Sequence, residues 1–315
     1  MMLRDRQLPD ADEVSFAIAA ELMLRDLEGA GRKPTTLDNY RAILRFRLLP
    51  RFGKTAVDRV RKSQVEALAA DMLREGKSAH TRDNTLKLLT QIFKFAQLRN
   101  WCRENPCQGV RRPRIRQSED IRFLGKAELE ALLEAIDVSE VPFGSTDRAM
   151  ILTAAMTGMR QGELLALRWR DVDWQARRIR VRRNYVRGHW VLPKSRSGER
   201  SIPLSSRVAE ELRAHLERSI FPSADDLVFA HPLSGEPLPN GPLVRRFKKA
   251  LKAAGVREIR FHDLRHTFGT RIAAAGIPMR TLQEWMGHRD FRTTLIYADY
   301  EPRENESAMV DQAFS

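Results

Sequence analysis

Tyrosine, arginine, histidine and lysine recur in this sequence at places that could together break and remake a phosphodiester. From Phe261 the chain reads F-H-D-L-R-H, which sets His262, Arg265 and His266 close together. Gly287-His288 follows, and Tyr297 lies nine residues beyond His288. Two more cations come from elsewhere, Arg160 in T-G-M-R-Q-G-E-L and Lys194 in P-K-S. Arginines from separate segments can clamp the nonbridging oxygens of one phosphate with their planar forks. Such fixed charge acts more strongly on a pentacoordinate transition state than on the ground state. A tyrosine hydroxyl, with a pKa of about 10, is a weak nucleophile at neutral pH. A base must therefore assist it, and His262 is the candidate. Lys194 is the candidate acid for a departing 5′ oxygen. Glu163, three residues after Arg160 and on the same helical face, is placed to orient that arginine or a neighbouring group.

Other readings of the same residues stand beside these. Tyr185 and Tyr300 are competing tyrosines, and Tyr300 lies only three residues past Tyr297. His262 and His266 have the i, i+4 spacing used by zinc sites, but no Glu follows His262 and no cysteine pair is near, so no metal is expected. A histidine after a glycine, as at His288, also suits a hydrogen bond at a helix end. A lysine at a hairpin tip, as at Lys194, is more often a solvated charge.

The elements that must hold these groups fall into two parts. Residues 12–30, about 34–53, 63–76 and 78–101 carry apolar positions at helical spacing, with Pro34, Gly53 and Gly76 as boundaries. No alternating β-branched run appears there, so a four- or five-helix unit is expected up to residue 109. Residues 1–116 hold 24 of the 55 Lys+Arg but only 14 of the 41 Asp+Glu, which is ten of the net fourteen positive charges. A small helical domain so charged reads as a binder of phosphate backbones. Residues 110–120 form an arginine-rich, proline-interrupted linker. Beyond it, helices are expected at 124–136, at 147–156 and from Gln161. Strands are expected at 177–186 and in a hairpin from His189 to Leu204 with Lys194 at its tip. Helices then carry the chain through the two histidine motifs to Tyr297. The expected fold is mainly α with a small antiparallel sheet.

No run of about 18 apolar residues is present to span a bilayer, and no apolar signal core opens the chain. Cys102 and Cys107 are read as reduced thiols of a cytoplasmic protein.

Taken in order, T-G-M-R-Q-G-E-L at 157–164, P-K-S at 193–195, H-D-L-R-H at 262–266, G-H at 287–288 and T-T-L-I-Y at 293–297 resemble the tyrosine recombinases, the phage-type integrases. The resemblance covers about residues 12–303. It implies that Arg160, Lys194, His262, Arg265, His288 and Tyr297 are the catalytic set, with Tyr297 as nucleophile and Glu163 in support. His266 matches a position outside that set. It further implies a helical, SAM-like core-binding domain (1–109), a mixed α+β catalytic domain (121–303), and closure of the two as a C-shaped clamp on double-stranded DNA. Four protomers on paired core sites would exchange strands through 3′-phosphotyrosyl intermediates, with no cofactor or metal. Accessory DNA-bending or directionality factors are implied as partners, as is a cytoplasmic, nucleoid-associated location. Larger phage integrases carry a further N-terminal domain for arm-type sites. Here about 11 residues precede the first helix, which fits either a simple recombinase or a chain lacking that domain.

Two other functions share parts of this pattern. A type IB topoisomerase uses similar chemistry without a specific site, and a DNA-binding regulator would need the basic helices but not the catalytic set. Residues 304–315, with Met309, Val310 and Phe314, resemble a segment that docks into a neighbouring subunit in this family. Deleting them is expected to weaken pairing of DNA-bound protomers in a native gel, while unchanged tetramer formation would count against that role.

Overall fold

The structure is a computed structural model that describes residues 14–115, 121–140, 142–191 and 199–298. The chain divides into two compact units, residues 1–118 and 119–315. The expected unit 1–109 and linker 110–120 lie within and across that first division.

The first unit is helical. Helix α1 (Phe16–Gly29) starts where Ser15 Oγ accepts a hydrogen bond from the Ile18 amide, and it buries Phe16, Ala19, Ala20, Met23 and Leu24. Helix α2 (Pro34–Ile43) opens on a proline whose missing N–H costs nothing at that position. The expected single helix to Gly53 is instead a composite. One π turn, Leu44–Leu48, leads into the short α3 (Leu49–Phe52). Pro50 supplies the reason: it has no N–H to donate and its ring crowds the carbonyl four residues back, so the turn before it widens. Helices α4 (Lys62–Arg74) and α5 (Ala79–Leu98) complete the unit. Phe93 of α5 meets Phe16 at 5.9 Å between ring centroids, and Phe16 meets Phe52 at 5.7 Å. These three rings are almost fully buried and form the centre of the helical core.

The second unit is built around one helix buried on nearly every side. Helix α6 (Lys126–Glu134) covers α7 (Gly144–Thr157), which buries eleven of its fourteen residues. After the one-turn α8 (Gln161–Leu164) come the strands β1 (Val172–Asp173), β2 (Arg178–Val181), β3 (Asn184–Val186), β4 (His189–Val191) and β5 (Arg200–Pro203). Helices α9 (Ser206–Arg218), α10 (Asn240–Ala253), α11 (Asp263–Ala274), α12 (Met279–Met286) and α13 (Arg292–Leu295) follow. Among the described residues no helix is long and apolar enough to cross a membrane.

The hairpin expected from His189 to Leu204 takes a different form. Strand β4 pairs with β3, and β5 pairs with β2 in a separate antiparallel sheet of order β1-β2-β5. Two physical causes separate them. Arg187 (φ 51°) and Gly188 (φ 83°) both adopt positive φ, the geometry of a tight two-residue hairpin, and this closes β3 on β4. Meanwhile Ile179 and Val181 need cover, and β5 lays Ile202 directly opposite Ile179. Lys194, with the expected hairpin tip, falls in residues 192–198, outside the described residues.

Candidate active site

Helix α7 ends at Gly158, whose φ of 63° terminates the helix in the left-handed region. A side chain there would collide with the Phe268 ring, 2.4 Å from where its Cβ would stand. The chain then turns to put Arg160 at the N-cap of α8. Glu163 answers it at both ends. Its Oε2 accepts the Arg160 amide at 2.8 Å and its Oε1 accepts Arg160 Nη1 at 2.9 Å. The orienting role expected of Glu163 is thus a direct contact. The other fork of Arg160 reaches across the fold to donate to the Gly287 carbonyl at 2.9 Å.

Arg265 lies in the first turns of α11 and is almost wholly buried. It donates to the carbonyl of Gly158 and, at 2.5 Å, to that of Met286. Burial, together with the charge of Arg160, brings its pKa down to about 9. His288 follows Gly287, the left-handed cap of α12 (φ 63°), and its Nδ1 bonds Thr294 Oγ1 at 2.9 Å. Burial and then the guanidinium groups of Arg265, Arg160 and Arg200 push the His288 imidazole down to about 3. His262 caps α11 on its exposed edge. Partial burial, followed by the nearby His266 and Arg265, brings it down to about 4. All three shifts have one sign: burial is the largest cause, and the neighbouring positive charge adds to it.

Tyr297 packs into this surround with 2% of its surface exposed. Its ring stacks parallel to His288 at 6.5 Å and lies against Gly269 of α11, where a Cβ would come within 2.5 Å of the phenol carbon Cζ. Burial raises the hydroxyl to about 12, although Arg265 and Arg160 pull the other way. The hydroxyl bonds His266 Nδ1 at 3.0 Å. That partner is the histidine outside the expected catalytic set. Arg160, Glu163, Arg265, His288 and Tyr297 are therefore gathered at one place, with His262 and His266 in edge-to-face ring contact beside them at 5.6 Å. Among the described residues no cluster of three His, Cys, Asp or Glu side chains could hold a metal.

Sequence reasoning missed Arg200. Only 7% of its side chain is exposed, and it forms a two-pronged ion pair with Glu163, Nη1 to Oε1 at 2.9 Å and Nη2 to Oε2 at 2.7 Å. Its Nε donates to the Trp285 carbonyl at 2.6 Å. The signal was present: Arg200, Ile202 and Leu204 share one phase of an alternating strand, and a charge in the apolar phase has to find a buried partner. Burial alone would raise the Glu163 carboxyl, but Arg200 and Arg160 together hold it at about 2.

Three outcomes are expected for this site. Arg200→Met is expected to destabilise the fold by about 3–5 kcal/mol in urea titrations, because Glu163 stays buried without its main partner. The double variant with Glu163→Leu should recover part of that loss. The Glu163 pKa is depressed, so its stabilising effect is complete above the ordinary carboxylate pKa of 4.5 and fades as pH falls toward about 2. Gly269→Ala is expected to drive the Tyr297 ring off α11 at a cost of about 1–3 kcal/mol. The displaced phenol would then titrate below about 12 when followed by ultraviolet absorbance.

Residues 122–304 match the model of the phage integrase family. The phiRv2 prophage integrase of Mycobacterium tuberculosis is 31% identical over 86% of this chain and 71% of its own length. The Tn1549 transposon integrase, solved in complex with a circular intermediate DNA, superposes with a TM-score of 0.73 at 25% identity, over 94% of this chain and 99% of that one. The lambda integrase, solved as a tetramer bound to a Holliday junction, shares the fold at a TM-score of 0.71 and 20% identity, over 94% of this chain and 82% of its own. The chain belongs to the phage integrase family and is a tyrosine-type site-specific recombinase, a DNA strand transferase.

Proposed function

We propose that this recombinase integrates and excises a mobile element or prophage, with Tyr297 as its nucleophile. The observation that carries the assignment is the grouping of side chains from α8, α11 and the loop after α12 around one tyrosine. In this reading Tyr297 Oη attacks a backbone phosphorus, forms a 3′-phosphotyrosyl ester and releases a 5′ hydroxyl. Arg160 and Arg265 hold the nonbridging oxygens, and His262 and His288 line the same phosphate. Glu163 keeps the Arg160 fork aimed. Lys194 protonates the leaving 5′ oxygen. A 5′ hydroxyl from another duplex then attacks the ester, so the energy of the broken bond serves to reseal the strand without a nucleotide cofactor.

The helical unit, with its positive surplus, would bind double-stranded core sites mainly through phosphates. Four protomers on two paired sites is the assembly favoured by the lambda integrase tetramer; DNA-bending or directionality factors would be further partners. The phiRv2 and Tn1549 integrases favour a mobile element as the source of those sites.

The test uses a nicked duplex chosen from random-sequence DNA by binding to the protein, incubated in excess EDTA. Wild-type protein is expected to form a covalent adduct on a denaturing gel. Tyr297→Phe should lose it and Tyr300→Phe should keep it. An adduct that survives Tyr297→Phe would move the nucleophile, and tight binding with no adduct would favour a DNA-binding regulator.

A further inference from the structure

We infer that His266 is the catalytic proton acceptor for Tyr297, taking the hydroxyl proton on its Nδ1 as the phenolic oxygen attacks. This rests on the assignment of Tyr297 as nucleophile. The geometry sets His266 apart from the other histidines. Its Nδ1 is 3.0 Å from Tyr297 Oη, within reach for direct transfer. His288 contacts the same tyrosine by parallel stacking at 6.5 Å, and its Nδ1 is engaged by Thr294. His262 touches His266 edge-on and so stands one ring further from the hydroxyl.

One helix fixes both partners. His266 and Gly269 are three residues apart on α11 and share a face. Gly269 leaves the hollow in which the Tyr297 ring lies, and His266 meets the hydroxyl at the end of that ring. The acceptor role also requires a neutral imidazole. Burial favours that form, as do Arg260 and Arg265, against the opposing charge of Asp263. With the proton on Nε2, Nδ1 is free to accept.

The step balances as follows. The Tyr297 O–H bond breaks and its proton moves to His266 Nδ1, while Oη bonds to phosphorus. The bond from phosphorus to the 5′ oxygen breaks, and that oxygen takes its proton from the acid assigned to Lys194. On resealing, the incoming 5′ hydroxyl attacks, and the leaving Tyr297 oxygen recovers its proton from His266.

Two measurements test the inference. In the free protein with ¹⁵N-labelled histidine, Tyr297→Phe should shift the Nδ1 resonance of the histidine that is absent from His266→Gln. An unmoved resonance would remove the contact and the inference with it, whatever happens to cleavage. On the nicked duplex, His266→Ala and His266→Gln should bind as wild type does but form the adduct about 10²–10⁴-fold more slowly. Added imidazole should restore about tenfold or more to His266→Ala and nothing to Tyr297→Phe. A merely structural histidine would give no such rescue. Wild-type cleavage rates in either His266 variant, or no response of His266→Ala to imidazole, would overturn the inference. A wild-type protein that forms no adduct, yet shows the Nδ1 shift, would instead overturn the assignment of Tyr297 on which it rests.

Discussion

A buried carboxylate fixes the arrangement of the whole site. Glu163 is 7% exposed and still ionised, a state that its burial alone would not allow. Arg200 and Arg160 make it tolerable, and each ties it to another part of the fold. Arg200 brings strand β5 and the Trp285 carbonyl of α12, whereas Arg160 brings the turn before α8 and the Gly287 carbonyl. Loss of that one negative charge would set two guanidinium groups against each other in a confined space. The ion pair is therefore valued less for net stability than for its demand that three distant segments meet in one register.

The two glycine motifs gain a shared physical meaning from the same contacts. T-G and G-H mark the C-terminal caps of α7 and α12, and both glycines have φ of 63°. A helix C-terminus carries unsatisfied carbonyls and partial negative charge. Arg265 donates to the carbonyls of Gly158 and Met286, and Arg160 to that of Gly287. The guanidinium groups are thus held by helix ends as well as by Glu163. This explains how so much positive charge gathers in one place before any phosphate is present.

Much of this could be read in the sequence, and what could not has identifiable causes. Helices α1, α4 and α5 announced themselves through apolar periodicity and caps. The residues of the site did so through type and order, since arginine, histidine and tyrosine are legible without coordinates. Pairings were harder. The chain from His189 to Leu204 looks like one hairpin because local alternation does not reveal which strand covers Ile179 and Val181. Arg200 was hidden in that misreading, because its partner Glu163 lies 37 residues away. His266 was set aside because the resemblance places it outside the catalytic set; its contact with Tyr297, 31 residues along the chain, is one that no local rule gives.

Charge balance connects this architecture to the proposed reaction. Arg160, Arg200 and Arg265 against the single carboxylate of Glu163 leave an excess of two positive charges around Tyr297. In the free chain that excess adds to burial in lowering the pKa of Arg265 and of His288. A bound phosphodiester would bring one negative charge and relieve half of it. Attack by the tyrosine oxygen, with its proton given up, would raise the charge on the phosphoryl oxygens to two and relieve the remainder. Binding that strengthens as the reaction proceeds is what lowers a barrier, because equal stabilisation of the bound ground state would not. The same field acts on Tyr297, the proposed nucleophile. Arg265 and Arg160 favour the phenolate, whereas burial opposes it, and in the free chain burial prevails. On the proposed assignment, Tyr297 would stay protonated until phosphate and proton acceptor act on it together.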